Sequence, residues 1–266
     1  MAQDFEIKTV NGVDFYAVPF LERTGLVKAA FTTRRGGVSG GETATMNFSS
    51  RRADTWHNIR ENYRRICAAA GFPPESLAIS RQVHGVYVHE PLPNEVGRGI
   101  FDDYVSIEAD GLMTDQPGVT LVKHSADCVS IYLLDTTKPA IALLHGGWRG
   151  TMERIAQEGL KRMAQAYGTK PQDCLAAIGP SIGPCCFEVG EDVALAFENQ
   201  FPGWGLVKDG HVDLWRCNKL QLLEAGIPQE NIAVSQLCTA CDTQTFYSHR
   251  AEKGRTGAMA ALLMLN

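Results

Sequence analysis

Residues 119–151 read V-T-L-V-K-H-S-A-D-C-V-S-I-Y-L-L-D, a turn at 136–139, then A-I-A-L-L-H-G-G-W-R-G-T. Both apolar runs are rich in β-formers and long enough for buried strands, and the pattern turns helical over 149–166. Strand, glycine turn and helix in succession point to a mixed α/β fold. Each run carries one residue that a strand does not require: Cys128 in the first and His145 at the end of the second. If 125–134 is a single strand, side chains alternate, so Asp127 and Cys128 face opposite sides and His124 shares the side of Cys128. Upstream, R-Q-V-H-G at 81–85 places another histidine, His84, in a similar strand-to-turn setting. His84, Cys128 and His145 are the residues on which the chemistry is expected.

Outward from this stretch, the chain has 266 residues, 44% hydrophobic and 21% charged. No linker interrupts it, so a single domain over 1–266 is expected. The formal net charge of −5 argues against a protein whose main partner is nucleic acid, although a local basic pocket can still hold phosphate. No apolar run approaches the roughly 20 residues of a bilayer span, and the first residues lack a basic-then-apolar leader pattern. A cytoplasmic protein with no membrane partner is therefore expected. In that setting the eight cysteines read as thiols or ligands, not as a disulfide framework.

Strands are predicted over 14–18, 26–33, 77–80, 86–89, 174–178, 232–235 and 258–265, with a return to the core over 107–112. Helices are predicted over 54–70, with Asp54 as N-cap, over 191–201, and over 214–225, with Asp213 as N-cap. The segment 91–101, with Pro91, Pro93, Gly97 and Gly99, is the expected mobile loop. Arg34 and Arg35 precede two glycines in a loop that is either a solvated turn or an anion-binding loop. Asn47, in an irregular stretch, is suited to a cap, a turn or a ligand contact. Asp110, before Gly111, is either a turn residue or a carboxylate near the site. Arg149 sits at a helix start directly after His145-Gly146-Gly147, where free backbone N–H groups and its own charge favour an anion. Cys185 and Cys186 are adjacent and are not expected to share one tetrahedral zinc. The C-x-x-C at Cys238 and Cys241 is a weak metal signal without a matching pair.

Six stretches, F-T-T-R-R-G-G-V-S (31–39), R-Q-V-H-G (81–85), S-A-D-C (125–128), H-G-G-W-R-G (145–150), G-P-S-I-G-P-C-C-F-E-V-G (179–190) and C-T-A-C-D (238–242), occur in this order. Together they make the chain resemble the YfiH, or laccase-domain, family of purine nucleoside phosphorylases, formerly described as multicopper polyphenol oxidases. Departures are small: the family more often has T-A-D-C, H-A-G-W-R-G and C-T-Y-C-D, and His249 replaces a tyrosine. The resemblance implies a layered α/β/β/α (α+β) sandwich with mixed sheets, related to the catalytic domain of cytotoxic necrotizing factor. It also implies a zinc held by His84, Cys128 and His145, three ligands with one position open as in a catalytic site. The implied activities are phosphorolysis of adenosine, inosine, guanosine and methylthioadenosine, together with adenosine deamination. Cys128, His145 and Arg149 are then the catalytic candidates. Arg34, Asn47, Arg149 and Arg250 are the candidates for binding substrate or phosphate. Purine nucleosides and phosphate are the expected partners of a monomer or weak homo-oligomer. Two alternatives use the same residues. One fills the triad with Cu2+ and oxidises phenols, although none of the seven histidines forms the H-x-H pairs of multicopper oxidases. The other makes Cys128 the nucleophile and His145 the base of a cysteine hydrolase acting on peptidoglycan precursors.

Overall fold

The computed structural model describes residues 4–50, 52, 54–98, 100 and 107–266. The strands are β1 (Glu6–Val10), β2 (Val13–Ala17), β3 (Val27–Thr32), β4 (Leu77–Ile79), β5 (Val88–His89), β6 (Gly111–Thr114) and β7 (Thr120–Ser125). They continue with β8 (Val129–Asp135), β9 (Ala140–Gly146), β10 (Cys174–Ile178), β11 (Val207–Lys208), β12 (His211–Val212), β13 (Ile232–Val234) and β14 (Met259–Leu265). The helices are α1 (Pro19–Glu22), α2 (Trp56–Ala70), α3 (Trp148–Met152), α4 (Ile155–Tyr167), α5 (Glu191–Gln200) and α6 (Leu214–Glu224).

Two six-stranded sheets carry the architecture, in the orders β1-β2-β3-β14-β7-β4 and β13-β10-β8-β9-β6-β5. Both are mixed: β4 runs parallel to β7, β13 to β10 and β5 to β6, and the other pairings are antiparallel. Every residue of β8, β9 and β14 is buried, so both faces of these strands must be covered. The alternation of side chains shows by what. Tyr132, Leu134, Ile141 and Leu143 of the second sheet share one core with Phe31, Leu121, Ala261 and Leu263 of the first. The opposite parity of the second sheet, Ile131, Leu133, Ala142 and Leu144, packs with Ile155, Leu160 and Met163 of α4 and Leu222 of α6. The opposite parity of the first, Val122, Ala260 and Leu262, packs with Ile59, Tyr63 and Ile66 of α2. Three cores of period-two parity thus make four layers, helix, sheet, sheet, helix. No helix among the described residues is long and apolar enough to cross a membrane.

Three expectations are corrected. The run 125–134 is not one strand: β7 ends at Ser125 in the first sheet and β8 begins at Val129 in the second. Asp127 takes the left-handed conformation at φ +86° between them, so the alternation argument for Asp127 and Cys128 does not apply. The helix over 149–166 is two helices, broken at Arg154, whose φ is +66°. Short α3 rests on the 81–85 turn, where a Cβ on Gly150 would lie 2.9 Å from the Gly85 carbonyl oxygen. By contrast, α4 lies on β9, with Gly159 against Leu144, and the two directions need a bend. Thr55, not Asp54, is the N-cap of α2: its side chain accepts from Asn58 N at 3.2 Å. Asp54 supports the cap from outside, accepting from Thr55 N and the Asn58 amide. Of the expected mobile loop 91–101, Gly99 and Phe101 lie outside the described residues. In its described part Gly97 N donates to the Leu77 carbonyl and Glu95 pairs with His89.

Candidate active site

The switch from β7 to β8, the end of β9 and the 81–85 turn meet at one end of the sandwich. There His84, Cys128 and His145 bring one ligand atom each to within 4.8 Å of one another. The two imidazoles stand edge to face with centroids 5.0 Å apart. Backbone devices hold each residue. His84 is left-handed at φ +65°, and Gln82 anchors its turn by donating to the His124 carbonyl and accepting from His124 N, like a short strand. Cys128 sits where the chain leaves the bend at Asp127, and Ser125 Oγ donates to its carbonyl oxygen. Gly147 has no room for a side chain: a Cβ would lie 2.8 Å from His84 Cδ2 and 3.4 Å from Cys128 Sγ. Gly147 is therefore what lets the turn, the thiol and the imidazole close up.

Asp110, fully buried, organises this cluster. Its carboxylate accepts from Val83 N, His84 N and Gly85 N at 3.1, 3.0 and 2.8 Å, and from His145 Nδ1 at 2.9 Å. Burial pushes the Asp110 carboxyl up, but the His145 contact and the turn N–H groups outweigh it and hold the pKa at about 2. An ionised Asp110 fixes His145 with its proton on Nδ1, leaving Nε2 as a lone-pair donor. Burial in turn lowers the His145 pKa against the pull of Asp110, keeping the imidazole neutral. That is the arrangement in which a carboxylate orients a metal-binding histidine. The donor set, two imidazoles and a thiol around a cradle that a single Cβ would fill, fits a metal with an affinity for nitrogen and sulfur. Without one, burial and the carboxylates of Asp127 and Asp110 push the Cys128 thiol up to about 12.

The cluster opens into a cavity of about 950 Å³. Phe48, Trp56, Tyr63, Trp148 and Phe187 supply apolar wall, while Arg52, Arg81, Arg149 and Arg250 bring positive charge despite the chain's net −5. Among the described residues Arg149 has no ion pair; its guanidinium lies 4.2 Å over the Trp148 ring. Arg250 lines the cavity beside Phe187 and donates to the Cys186 carbonyl at 3.2 Å. Two candidates stand elsewhere. Arg34 does not line the cavity: it donates to the carbonyls of Ala44, Thr243 and Phe246, pairs with Glu252 at 2.9 Å and stacks on Tyr247. With those acceptors in place it is a cross-link between loops, not an open phosphate clamp. Asn47 is fully buried, donating to Ser49 O and Asp54 and accepting from Ser49 N and Ala258 N, so its amide is saturated by the protein. The sequence offered Asp110 only as one of two options, and His124, bonded to Tyr63 at 2.5 Å on the cavity wall, only by strand parity.

Similar proteins agree with this architecture. Residues 28–266 match the family model described as multi-copper polyphenol oxidoreductase laccase. A purine nucleoside phosphorylase of Deinococcus radiodurans is 38% identical over 253 residues, covering 93% of each chain. The purine nucleoside phosphorylase YlmD of Geobacillus stearothermophilus is 36% identical over 243 residues, covering 88% of this chain and 89% of its own. A crystal structure of YlmD from the same organism superimposes over 100% of both chains with a TM-score of 0.90 at 33% identity. That of the Bacillus licheniformis protein YfiH superimposes with a TM-score of 0.89 at 29% identity, covering 98% of this chain and 99% of its own. The six motifs, the two-sheet fold and these matches lead to one conclusion: the chain belongs to the multi-copper polyphenol oxidoreductase laccase family, the YfiH and YlmD proteins among its relatives.

Proposed function

We propose that this protein is a zinc-dependent purine nucleoside phosphorylase, acting on adenosine, inosine, guanosine and methylthioadenosine, with a second activity as adenosine deaminase. The observation that carries the reading is Arg149, without an ion pair among the described residues, on the wall of a large cavity beside the His84–Cys128–His145 cluster. A cavity of about 950 Å³ lies at the upper end of the range for small-molecule sites, enough for a nucleoside with phosphate. His84, Cys128 and His145 would hold the zinc, which when bound supplies Lewis acidity sufficient to make water nucleophilic near neutral pH. The chain's own residues bind and orient. Arg149 fixes phosphate through forked donors, with Arg250 on the wall of the same cavity. The aromatic walls take the purine ring. In phosphorolysis a phosphate oxygen bonds to ribose C1′ as the C1′–N9 bond breaks, and the base leaves with both bonding electrons and gains a proton. In deamination water replaces the amino group at C6 and ammonia leaves. The protein is taken as a cytoplasmic monomer or weak homo-oligomer, with no nucleic acid or membrane as partner.

The rivals fare worse. The same two imidazoles and thiol can bind copper, but multicopper oxidation of phenols needs further histidine-rich sites, and among the described residues no other histidine joins a group of metal-capable side chains. A cysteine hydrolase would need Cys128 as thiolate, whereas burial and the carboxylates of Asp127 and Asp110 push its thiol up to about 12. The test pairs metal analysis of purified protein with an adenosine assay. We expect zinc in the protein, adenine and ribose 1-phosphate only with phosphate present, and inosine without it. Cys128→Ala should lose metal from this site and both activities. Undiminished nucleoside turnover in Cys128→Ala, or phenol oxidation restored by copper alone, would sink the assignment.

A further inference from the structure

A second group of thiols lies outside the catalytic cluster. Cys185 and Cys186 follow β10, Cys238 and Cys241 follow β13, and one sulfur from each lies within 4.8 Å of the others. Cys241 Sγ is 3.5 Å from Cys185 Sγ and 3.4 Å from Cys186 Sγ, and all four are free thiols. This convergence runs against the expectation that the adjacent pair would not share one tetrahedral zinc. That expectation holds for extended chain, where successive side chains diverge. Here Cys186 N and Phe187 N both donate to the Gly183 carbonyl, so the backbone turns as in a helix and the two side chains rotate toward the same centre. The parallel pairing of β10 and β13 continues past the strands through Ser181 and Cys238, which brings the C-x-x-C turn opposite.

We propose that Cys185, Cys186, Cys238 and Cys241 form a second, structural zinc site. Four sulfurs around a tetrahedral zinc sit at about 2.3 Å from the metal and therefore about 3.8 Å apart, close to the contacts observed. Four protein ligands close the coordination sphere, which suits a structural role and leaves no position for substrate. Gly183 N donates to Cys238 Sγ at 3.2 Å, the kind of backbone bond that stabilises a thiolate. The Arg250 guanidinium, donating to the Cys186 carbonyl, brings a positive charge beside a centre whose net charge would be negative. Its role follows from what the two loops do next. The first goes on to Phe187, Glu188 and Val189, the second to His249 and Arg250, and all five line the cavity. A metal at the thiols ties these two walls together.

The test uses the full-length protein purified under reducing conditions, with zinc and then cobalt counted per chain after desalting. Cys128→Ala should retain one zinc, independent of the fate of the catalytic site, and the same protein loaded with cobalt should show the intense sulfur-to-metal absorption of thiolate ligation. Cys241→Ser in that background should retain none. If Cys241→Ser does not fold, a mercurial titration of Cys128→Ala replaces it: zinc release should run in step with modification of these four cysteines, mapped by mass spectrometry. Proteolysis within 183–190 should accelerate once the metal is released. A Cys128→Ala protein that binds no zinc, or cobalt bound without thiolate absorption, would overturn the proposal. So would a disulfide among these cysteines in reduced preparations. Wild-type protein holding one zinc, lost with Cys241→Ser but kept in Cys128→Ala, would leave this site standing and remove the catalytic zinc instead.

Discussion

Four N–H donors converge on the Asp110 carboxylate, and no other side chain can serve them in the same way. An amide at this position has one acceptor oxygen and turns an N–H toward donors. Asp110→Asn should therefore loosen both the 81–85 turn and the His145 ring. The expected loss of metal affinity is about 10- to 100-fold, read by competition with a chelator. The variant should also lose a pH dependence. Asp110 titrates at about 2 in the fold against an ordinary 3.8, so it stabilises the wild type above the ordinary value and ceases to as pH falls toward 2. Acid unfolding of Asp110→Asn should lack that component. The two arginines make a second contrast. Arg149→Ala should raise the phosphate requirement of phosphorolysis about 10- to 100-fold, the worth of one or two charge-assisted hydrogen bonds, with zinc content and melting temperature unchanged. Arg34→Ala should do the reverse, costing about 2–4 kcal/mol of stability because Glu252 and several carbonyls lose their partner. Equal effects on phosphate saturation from both would return Arg34 to the site.

At the scale of elements, α3 shows how little room the site leaves. A Cβ on Gly150 would meet the Gly85 carbonyl at 2.9 Å, and neither backbone can yield without moving His84. Gly150→Ala should cost about 1–3 kcal/mol of stability and weaken metal binding more than Gly159→Ala, whose clash is with the movable end of Leu144. Calorimetry and metal titration on the two variants check it; equal metal affinities would mean that α3 does not position the turn. The elements also differ in how readable they were. Helix α2 was legible because Ile59, Tyr63 and Ile66 repeat at helical spacing against a single core. Strands β9 and β14 were legible as unbroken apolar runs, buried on both faces. β1 was not, because nearly all of its residues are exposed and its alternation carries no signal. The passage from β7 to β8 was hidden because the short polar stretch between two apolar runs carries no glycine or proline: the change of sheet happens at Asp127. Arg154 hides the break between α3 and α4 in the same way. His84, Cys128 and His145 stood out by ligand type and strand-end setting, and the family resemblance strengthened the grouping; their approach itself was not legible, since it depends on which strands pair. The convergence of the four thiols was not legible because it is set by the turn at Gly183, not by spacing.

At the scale of the whole molecule, the two-sheet core carries a buried cation at Lys123. β7 presents Leu121 to the space between the sheets, and Lys123 shares that parity, so a cation is carried into the interior with none of its surface exposed. Its ammonium donates to the Ala109 carbonyl at 2.8 Å and to Ser80 Oγ, which ties the first sheet to the segment leading into β6 of the second. Burial lowers its pKa from the ordinary 10.5 to about 7, against the opposing pull of Asp110. The consequence for stability has a definite sign. Below pH 7 both folded and unfolded chains hold the proton, and the fold bears the full cost of burying a charge. Between 7 and 10.5 the folded chain has released the proton while the unfolded chain still binds it, so this group makes stability rise with pH. Above 10.5 neither holds it and the contribution is flat. Lys123→Met, similar in volume and without charge, should remove that slope. Denaturant unfolding of wild type and variant side by side, from about pH 6 to about pH 10 with chelator present, should show the variant favoured most at the acid end and the gap narrowing steadily toward the alkaline end. A gap that stays constant over this range would mean that Lys123 keeps its proton, held by Asp110 as an ion pair across the two sheets.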